Sequence, residues 1–111
     1  MAIIKSYTDI SQSKKLAEIL PLESADNYYS WHDERYYVVN KDCPYPYSLK
    51  AKIPCWSLAA LLGVLPNENI IDKTSYGKYY CLARNIITEN YDNPVDACVG
   101  MIEKLHNLNL L

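Results

Sequence analysis

The sequence predicts a single α+β domain: an antiparallel sheet of short strands with about three helices, two of them packed as the core. Three observations predict this fold. The uncharged run IPCWSLAALLGVLP, at 53–66, has the composition of a buried helix. Short runs rich in Tyr, Val and Ile favour strands. A capped segment at 93–106 favours a second core helix, and a length of 111 residues fits one domain over 1–111.

The first helix and a hairpin account for the first forty residues. The helix is expected to begin at Thr8 or Asp9 and to end before Pro21. Two strand-like runs follow, NYYSW and RYYVV, separated by HDE, and they predict a hairpin over 27–39. The turn lacks Asn-Gly or Asp-Gly, so the register stays open. A one-residue slip would exchange the tyrosines that face the core.

The central run has recognisable ends. Pro54 favours an extended chain before the helix, and Ser57 is the expected N-cap. Trp56 then precedes the cap and Leu61 occupies the fourth helical position, so the two side chains can meet. Pro66 ends the helix. The run is too short for a membrane span, which needs about 20 residues, and its uniform apolarity predicts burial on every side.

The second half of the chain predicts a meander and a final helix. Strand-like runs at 70–71, 79–83 and 86–91 are separated by turns at Gly77 and at 84–85. Their short connections predict antiparallel pairing. The final helix has Asn93 as its N-cap and Pro94 at its first position, followed by an apolar stripe at helical spacing. That stripe is expected to belong to the core.

The blocks at 12–29, 53–66 and 93–106 carry a resemblance that covers most of the chain. QSKKLAEILPLESADNYY, IPCWSLAALLGVLP and NPVDACVGMIEKLH resemble a family of small uncharacterised proteins of phages and mobile elements of gut bacteria. That family has no established activity. The resemblance therefore implies an origin in a mobile element, and it transfers no functional residue.

The titratable residues do not form a recognisable catalytic or metal-binding motif. The cysteines stand 12, 26 and 17 residues apart, whereas zinc sites need closely spaced pairs. Thiol catalysis needs a histidine, and the only two lie in a predicted turn and near a helix end. We predict no metal, no cofactor and no enzymatic activity. The residues concerned are Cys43, Cys55, Cys81, Cys98, His32 and His106.

Other functional classes are also disfavoured. Gly63, Gly77 and Gly100 are isolated, so they form no phosphate-binding loop. Glu23 and Asp26 are expected to lie in a solvated connection rather than to act as an acid and base pair. The net charge of -2 favours no polyanion or polycation. The first residues show neither a secretion signal nor a membrane anchor, which predicts a cytoplasmic protein.

The aromatic composition indicates an interaction surface. The chain has eleven Tyr, two Trp and no Phe. Seven of these rings fall within the hairpin and the loop at 43–47, more than one face of a small sheet needs for its core. We predict that some are exposed and contact a partner, although covering the sheet or self-association into a homo-oligomer stays open. The candidate surface comprises Tyr28, Trp31, Tyr36, Tyr45 and Tyr47.

The leading functional hypothesis is a protein-binding module of a phage or mobile element that acts on a host or phage component. A nucleic-acid-binding protein is the alternative, because basic residues interleaved with rings can hold a single strand. Its candidate residues are Lys50, Lys52, Lys73 and Lys78. An enzyme with an unrecognised site would require a deep pocket with converging polar groups.

Overall fold

The computed structural model describes residues 5–42 and 52–111. Within them the helices are α1 (Ile10–Ala17), α2 (Leu58–Val64) and α3 (Pro94–Asn107), with a 3-10 turn at Leu22–Ser24. The strands are β1 (Asn27–His32), β2 (Arg35–Asn40), β3 (Lys52–Cys55), β4 (Ile70–Lys73), β5 (Tyr79–Ala83) and β6 (Ile86–Ile87). No helix in the described ranges has the length and apolarity to cross a membrane.

The strands of the described residues divide between two sheets. The first sheet has the order β2-β1-β3 and the second has the order β4-β5-β6, and every pairing is antiparallel. The predicted α+β class and the antiparallel pairing are confirmed, but the strands form two sheets instead of one. The division arises because β3 pairs back to β1, whereas the strands after α2 pair, within the described ranges, with one another.

A two-residue turn joins β1 to β2 and fixes the register that the sequence left open. Asp33 and Glu34 have φ values of 48° and 63°. Left-handed backbone at both central positions is the requirement of a type I′ turn, which suits the twist of a hairpin. Trp31 therefore lies directly opposite Tyr36. Two acidic residues here occupy a conformation that usually selects Gly or Asn.

Helix α2 begins as predicted but is less buried than predicted. The Ser57 side chain accepts a hydrogen bond of 3.2 Å from the third helical amide. Trp56 and Leu61 are fully buried. The expectation of burial on every side is wrong, because Ala59 and Gly63 are exposed. These small residues present little apolar area, so an open face costs the helix little.

Helix α3 contributes most to the core. Asn93 caps it as predicted, accepting a hydrogen bond of 2.8 Å from the Asp96 amide, and Pro94 occupies the first turn. The helix packs against α2 and against β5, so the predicted pairing of two core helices is confirmed. Its buried residues are Val95, Ala97, Cys98, Val99, Met101, Ile102 and Leu105.

The second sheet follows the predicted meander with a shorter last strand. Gly77 has a φ of 78°, and Arg84 and Asn85 have φ values of 51° and 62°, so both predicted turns are present. Strand β6 ends after two residues instead of continuing to position 91. Regular pairing stops there because the Thr88 side chain, rather than a backbone carbonyl, accepts the Cys81 amide hydrogen at 2.9 Å.

Tyr91 packs across α3 at Gly100. Its backbone amide and carbonyl both bond to Tyr79 at 2.7 Å, and its hydroxyl donates to Glu89 at 2.9 Å. A Cβ atom built on Gly100 would lie 2.7 Å from Cζ of Tyr91. The close approach of this ring therefore requires a residue without a side chain at position 100.

Asp26 clamps the start of the hairpin to the cap of α2. Its carboxylate accepts hydrogen bonds from the Ser57 amide, at 2.9 Å, and from the Ser57 hydroxyl. Partial burial acts to raise the pKa of Asp26, but its hydrogen bonds, the largest of them from Ser57, together outweigh burial and hold the pKa below its ordinary value. The segment expected to be a solvated connection thus holds a structural carboxylate.

Buried Thr8 fixes the other side of the hairpin base. Its amide donates to the Trp56 carbonyl at 2.9 Å, and its own carbonyl accepts the Tyr29 hydroxyl at 2.6 Å. Its hydroxyl lies 2.7 Å from that of Ser13. Burial raises the pKa of Tyr29 to about 12, so this hydroxyl stays protonated and available as a donor. The hairpin therefore leaves the core from a rigid base.

Candidate interaction surface

Three rings form a continuous row on one face of the hairpin. The ring centroids of Trp31 and Tyr36 lie 4.8 Å apart, with the planes at 69°. Those of Tyr36 and Tyr29 lie 6.3 Å apart at 79°. Both contacts have the edge-to-face geometry that aromatic quadrupoles favour. We call Tyr29, Tyr36 and Trp31 the ring row.

The ring row runs from the core to solvent. Tyr29 is half-buried and tied to the Thr8 carbonyl, whereas Trp31 is 43% exposed at the outer end. Val38, which lies opposite Tyr29, is 38% exposed and extends the apolar area on the same face. The row therefore presents the Trp31 indole at its outer end, packed against Tyr36 on the paired strand.

The opposite face of the hairpin carries a basic residue packed on a ring. The Cζ atom of Arg35 lies 5.0 Å from the ring centroid of Tyr37, and its Nε donates to the Tyr37 hydroxyl at 2.6 Å. This is a cation–π arrangement. Tyr37 is 38% exposed, so this face also offers an aromatic contact area.

The structure divides the predicted surface residues between the two faces. Trp31 and Tyr36 come together as cross-strand partners. Tyr28 points to the other face, where it is half-buried and lines a groove with Leu22 and Pro54. The remaining two predicted residues, Tyr45 and Tyr47, lie outside the described residues.

Four residues of this surface were not in the predicted set: Tyr29, Tyr37, Arg35 and Val38. The sequence feature that could have identified them is the position of the two-residue turn. With a two-residue turn at 33–34, residues equally distant from it pair across the strands, so Trp31 meets Tyr36. The same pairing assigns Val38 to the face of the ring row and Arg35 to the face of Tyr37.

The lysines of the nucleic-acid hypothesis are divided between the sheets. Lys73 and Lys78 flank the β4–β5 turn of the second sheet, where Lys78 forms an ion pair with Asp92. The Lys73 ammonium lies 5.6 Å from the ring centroid of Tyr79. Lys52 begins β3 of the first sheet, and Lys50 lies outside the described residues.

Three cysteines are placed in the core. Cys55, Cys81 and Cys98 are free and buried, and Cys43 lies outside the described residues. Burial raises the pKa of Cys81 to about 11 and that of Cys98 to about 12, so both are protonated at neutral pH and are poor nucleophiles. In the part of the chain that the structure describes, no three His, Cys, Asp or Glu residues are grouped to hold a metal ion.

The hairpin thus combines exposed rings on both faces with a base that is hydrogen-bonded to the core. Comparison with protein-family models, curated proteins and solved structures found no match to this chain.

Proposed function

We propose that this chain is a non-catalytic protein-binding module and that the ring row contacts the partner. The observation that carries the proposal is Trp31, 43% exposed yet held edge-on against Tyr36. Trp and Tyr supply much of the binding energy at protein interfaces. A ring that is already fixed loses less conformational entropy on binding.

The partner we propose is a host or phage protein in the cytoplasm. The resemblance of the blocks at 12–29, 53–66 and 93–106 to mobile-element proteins supports this choice. Free buried thiols at Cys55, Cys81 and Cys98 are typical of a reducing compartment. The net charge of -2 provides no general attraction to a nucleic acid.

The experiment is a tagged pulldown from host lysate, comparing wild type with Trp31→Ser. Tyr76→Ser is the matched control, because Tyr76 is 90% exposed on the β4–β5 turn and does not belong to the hairpin. Wild type and Tyr76→Ser should recover one stoichiometric partner, and Trp31→Ser should lose it. Circular dichroism and a denaturant titration establish that all three proteins are folded.

Two results would overturn the proposal: no stoichiometric partner under several growth conditions, or equal recovery by Trp31→Ser. Gel shifts with single- and double-stranded DNA and RNA test the alternative function. Binding at low salt that weakens steeply as salt is added would assign the chain to nucleic acid instead.

A further inference from the structure

Strand β2 is an edge strand. In the sheet order β2-β1-β3, and within the residues that the structure describes, β2 pairs with β1 alone. Its sequence, RYYVVN, has a charge only at its first residue, Arg35, and is rich in residues that favour strands. Edge strands usually carry Lys, Pro or a bulge that discourages pairing with another chain. None of these interrupts β2.

The outward backbone groups of β2 can be assigned. The Lys41 amide donates to the Asp26 carbonyl, which continues the ladder between β1 and β2 beyond Asn40. Inward and outward groups alternate in an antiparallel pair, so position 41 and every second residue before it face β1. Tyr36, Val38 and Asn40 therefore direct their amide and carbonyl groups away from the sheet.

Charges at the two ends of β2 are complementary to each other in an antiparallel arrangement. The acidic turn residues Asp33 and Glu34 precede the strand, and exposed Lys41 follows it. When two copies of β2 run antiparallel, the beginning of one lies beside the end of the other. The acidic turn of each copy then approaches Lys41 of its neighbour.

From these observations we infer that β2 pairs with β2 of a second copy around a two-fold axis at Tyr37. The first sheet of one copy and the first sheet of the other then form one continuous six-stranded sheet. Tyr36 and Val38 of each copy exchange backbone hydrogen bonds, and Asp33 lies opposite Lys41. The inference goes beyond the proposed function, because it concerns the backbone edge of β2 and not the ring row.

The charges select this register over the one with a two-fold axis at Val38. A two-fold axis at Val38 would also pair outward groups, but it places Arg35 opposite Lys41 and Glu34 opposite Asp42. Like charges directly opposite each other destabilise a strand pair. The axis at Tyr37 avoids both clashes and brings the two Tyr37 rings together as a cross-strand aromatic pair, which is a favourable arrangement.

Single-cysteine variants test the register. At the proposed axis the two Tyr37 residues form a non-hydrogen-bonded pair with Cα atoms about 4.5 Å apart, within the range that a disulfide bridges. In a Cys43→Ser background, mild oxidation should therefore cross-link Tyr37→Cys into a covalent dimer. Val38→Cys is the matched control, because Val38 and Tyr37 are equally exposed at 38%. It should cross-link slowly, since each Val38 is offset by two residues from its copy.

The backbone contribution is tested at Val38 in a Cys43→Ser chain by sedimentation velocity over a concentration series. The parent protein should show a concentration-dependent dimer. Val38→Pro removes one outward amide from each copy and leaves the ladder to β1 intact, so it should weaken the dimer about thirtyfold. Val38→Thr keeps the amide and a β-branched side chain, and it should retain most of the association.

Three results would overturn the inference: a parent protein that stays monomeric at every concentration, faster cross-linking by Val38→Cys than by Tyr37→Cys, or equal weakening by Val38→Pro and Val38→Thr. All of these measurements use the purified chain alone. Loss of a lysate partner from Trp31→Ser, with the dimer intact, would support the proposed function independently.

Discussion

Two of the hairpins in this molecule, β1–β2 and β5–β6, have the same kind of two-residue turn and differ in what packs beneath them. Residues 33–34 and 84–85 all have positive φ values, and each pair joins two antiparallel strands. The first hairpin continues for six pairs, whereas β5 and β6 pair over two residues before the Thr88 side chain interrupts the ladder. A common turn therefore does not determine how far a hairpin extends.

The difference shows that packing against the core decides which strands have buried side chains and which have exposed ones. Helix α3 covers the inner face of the second sheet, where Cys81 and Ala83 are buried. In the first hairpin, burial ends near Ser30, and Trp31 beyond it is exposed. Changes beneath the second sheet should therefore affect stability much more than changes in the outer hairpin.

The largest expected effect is at Ile102, which is fully buried on α3. Ile102→Ala should lower the free energy of unfolding by about 2 to 5 kcal/mol, because it removes apolar contacts and leaves a cavity. Val38→Ala in the first hairpin should cost less than about 1 kcal/mol. Urea titrations with an unchanged m value measure both. Equal losses would contradict the contrast between the two regions.

Gly100→Ala should produce the next largest effect. The new methyl group would collide with the Tyr91 ring, which is held by its own hydrogen bonds, so we expect a loss of about 1 to 3 kcal/mol. Gly63→Ala on the open face of α2 is the control, because a Cβ there meets no atom within 4 Å. It should stabilise the protein by about 0.5 to 1 kcal/mol through higher helix propensity. Thermal denaturation of both variants should show shifts of opposite sign.

Acid should weaken the attachment of the first hairpin. The folded-state pKa of Asp26 lies below its ordinary value, so its stabilising contribution is fully present above the unfolded-state pKa of about 4. It is lost as the pH falls through the lower folded-state pKa. Unfolding free energies measured between about pH 7 and pH 3 should therefore fall more for wild type than for Asp26→Asn. Parallel curves would show that the clamp to Ser57 contributes no pH dependence.

The smallest effects should come from the two turns. Glu34→Gly should stabilise the protein by about 0.5 kcal/mol, because Gly adopts the positive φ without steric cost. Asn85→Gly should have less effect, since Asn already tolerates this conformation. Chemical denaturation of both variants, run in parallel, measures the two changes in the free energy of unfolding. A larger gain at Asn85 than at Glu34 would contradict this view of the turns.

Local features of the fold could be predicted from the sequence, and long-range ones could not. Ser57 and Asn93 were identified as caps because a cap depends on a few neighbouring residues. The division into two sheets depends on β3 returning to β1, a pairing that no local pattern specifies. The open face of α2 was missed because an uncharged sequence does not indicate which layers surround a helix.

The candidate surface was partly predictable for the same reason. The density of rings between 27 and 39 indicated that some must be exposed, and Trp31 is. Which rings share a face depends on the register, and that depends on Asp33 and Glu34 adopting positive φ without the usual Asn-Gly signal. Tyr28 lies on the other face from Trp31, which strand alternation already implies for two residues three apart on one strand, whatever the register.

The two tryptophans occupy opposite environments, which gives the protein a natural pair of optical probes. Trp56 is fully buried, with its indole nitrogen donating to the Ser24 hydroxyl at 2.9 Å, whereas Trp31 lies on the exposed hairpin. Emission from Trp56 should be blue-shifted and shielded from iodide, and emission from Trp31 should be red-shifted and readily quenched. Fluorescence of the intact chain can therefore follow hairpin contacts and global unfolding as separate signals without an added label.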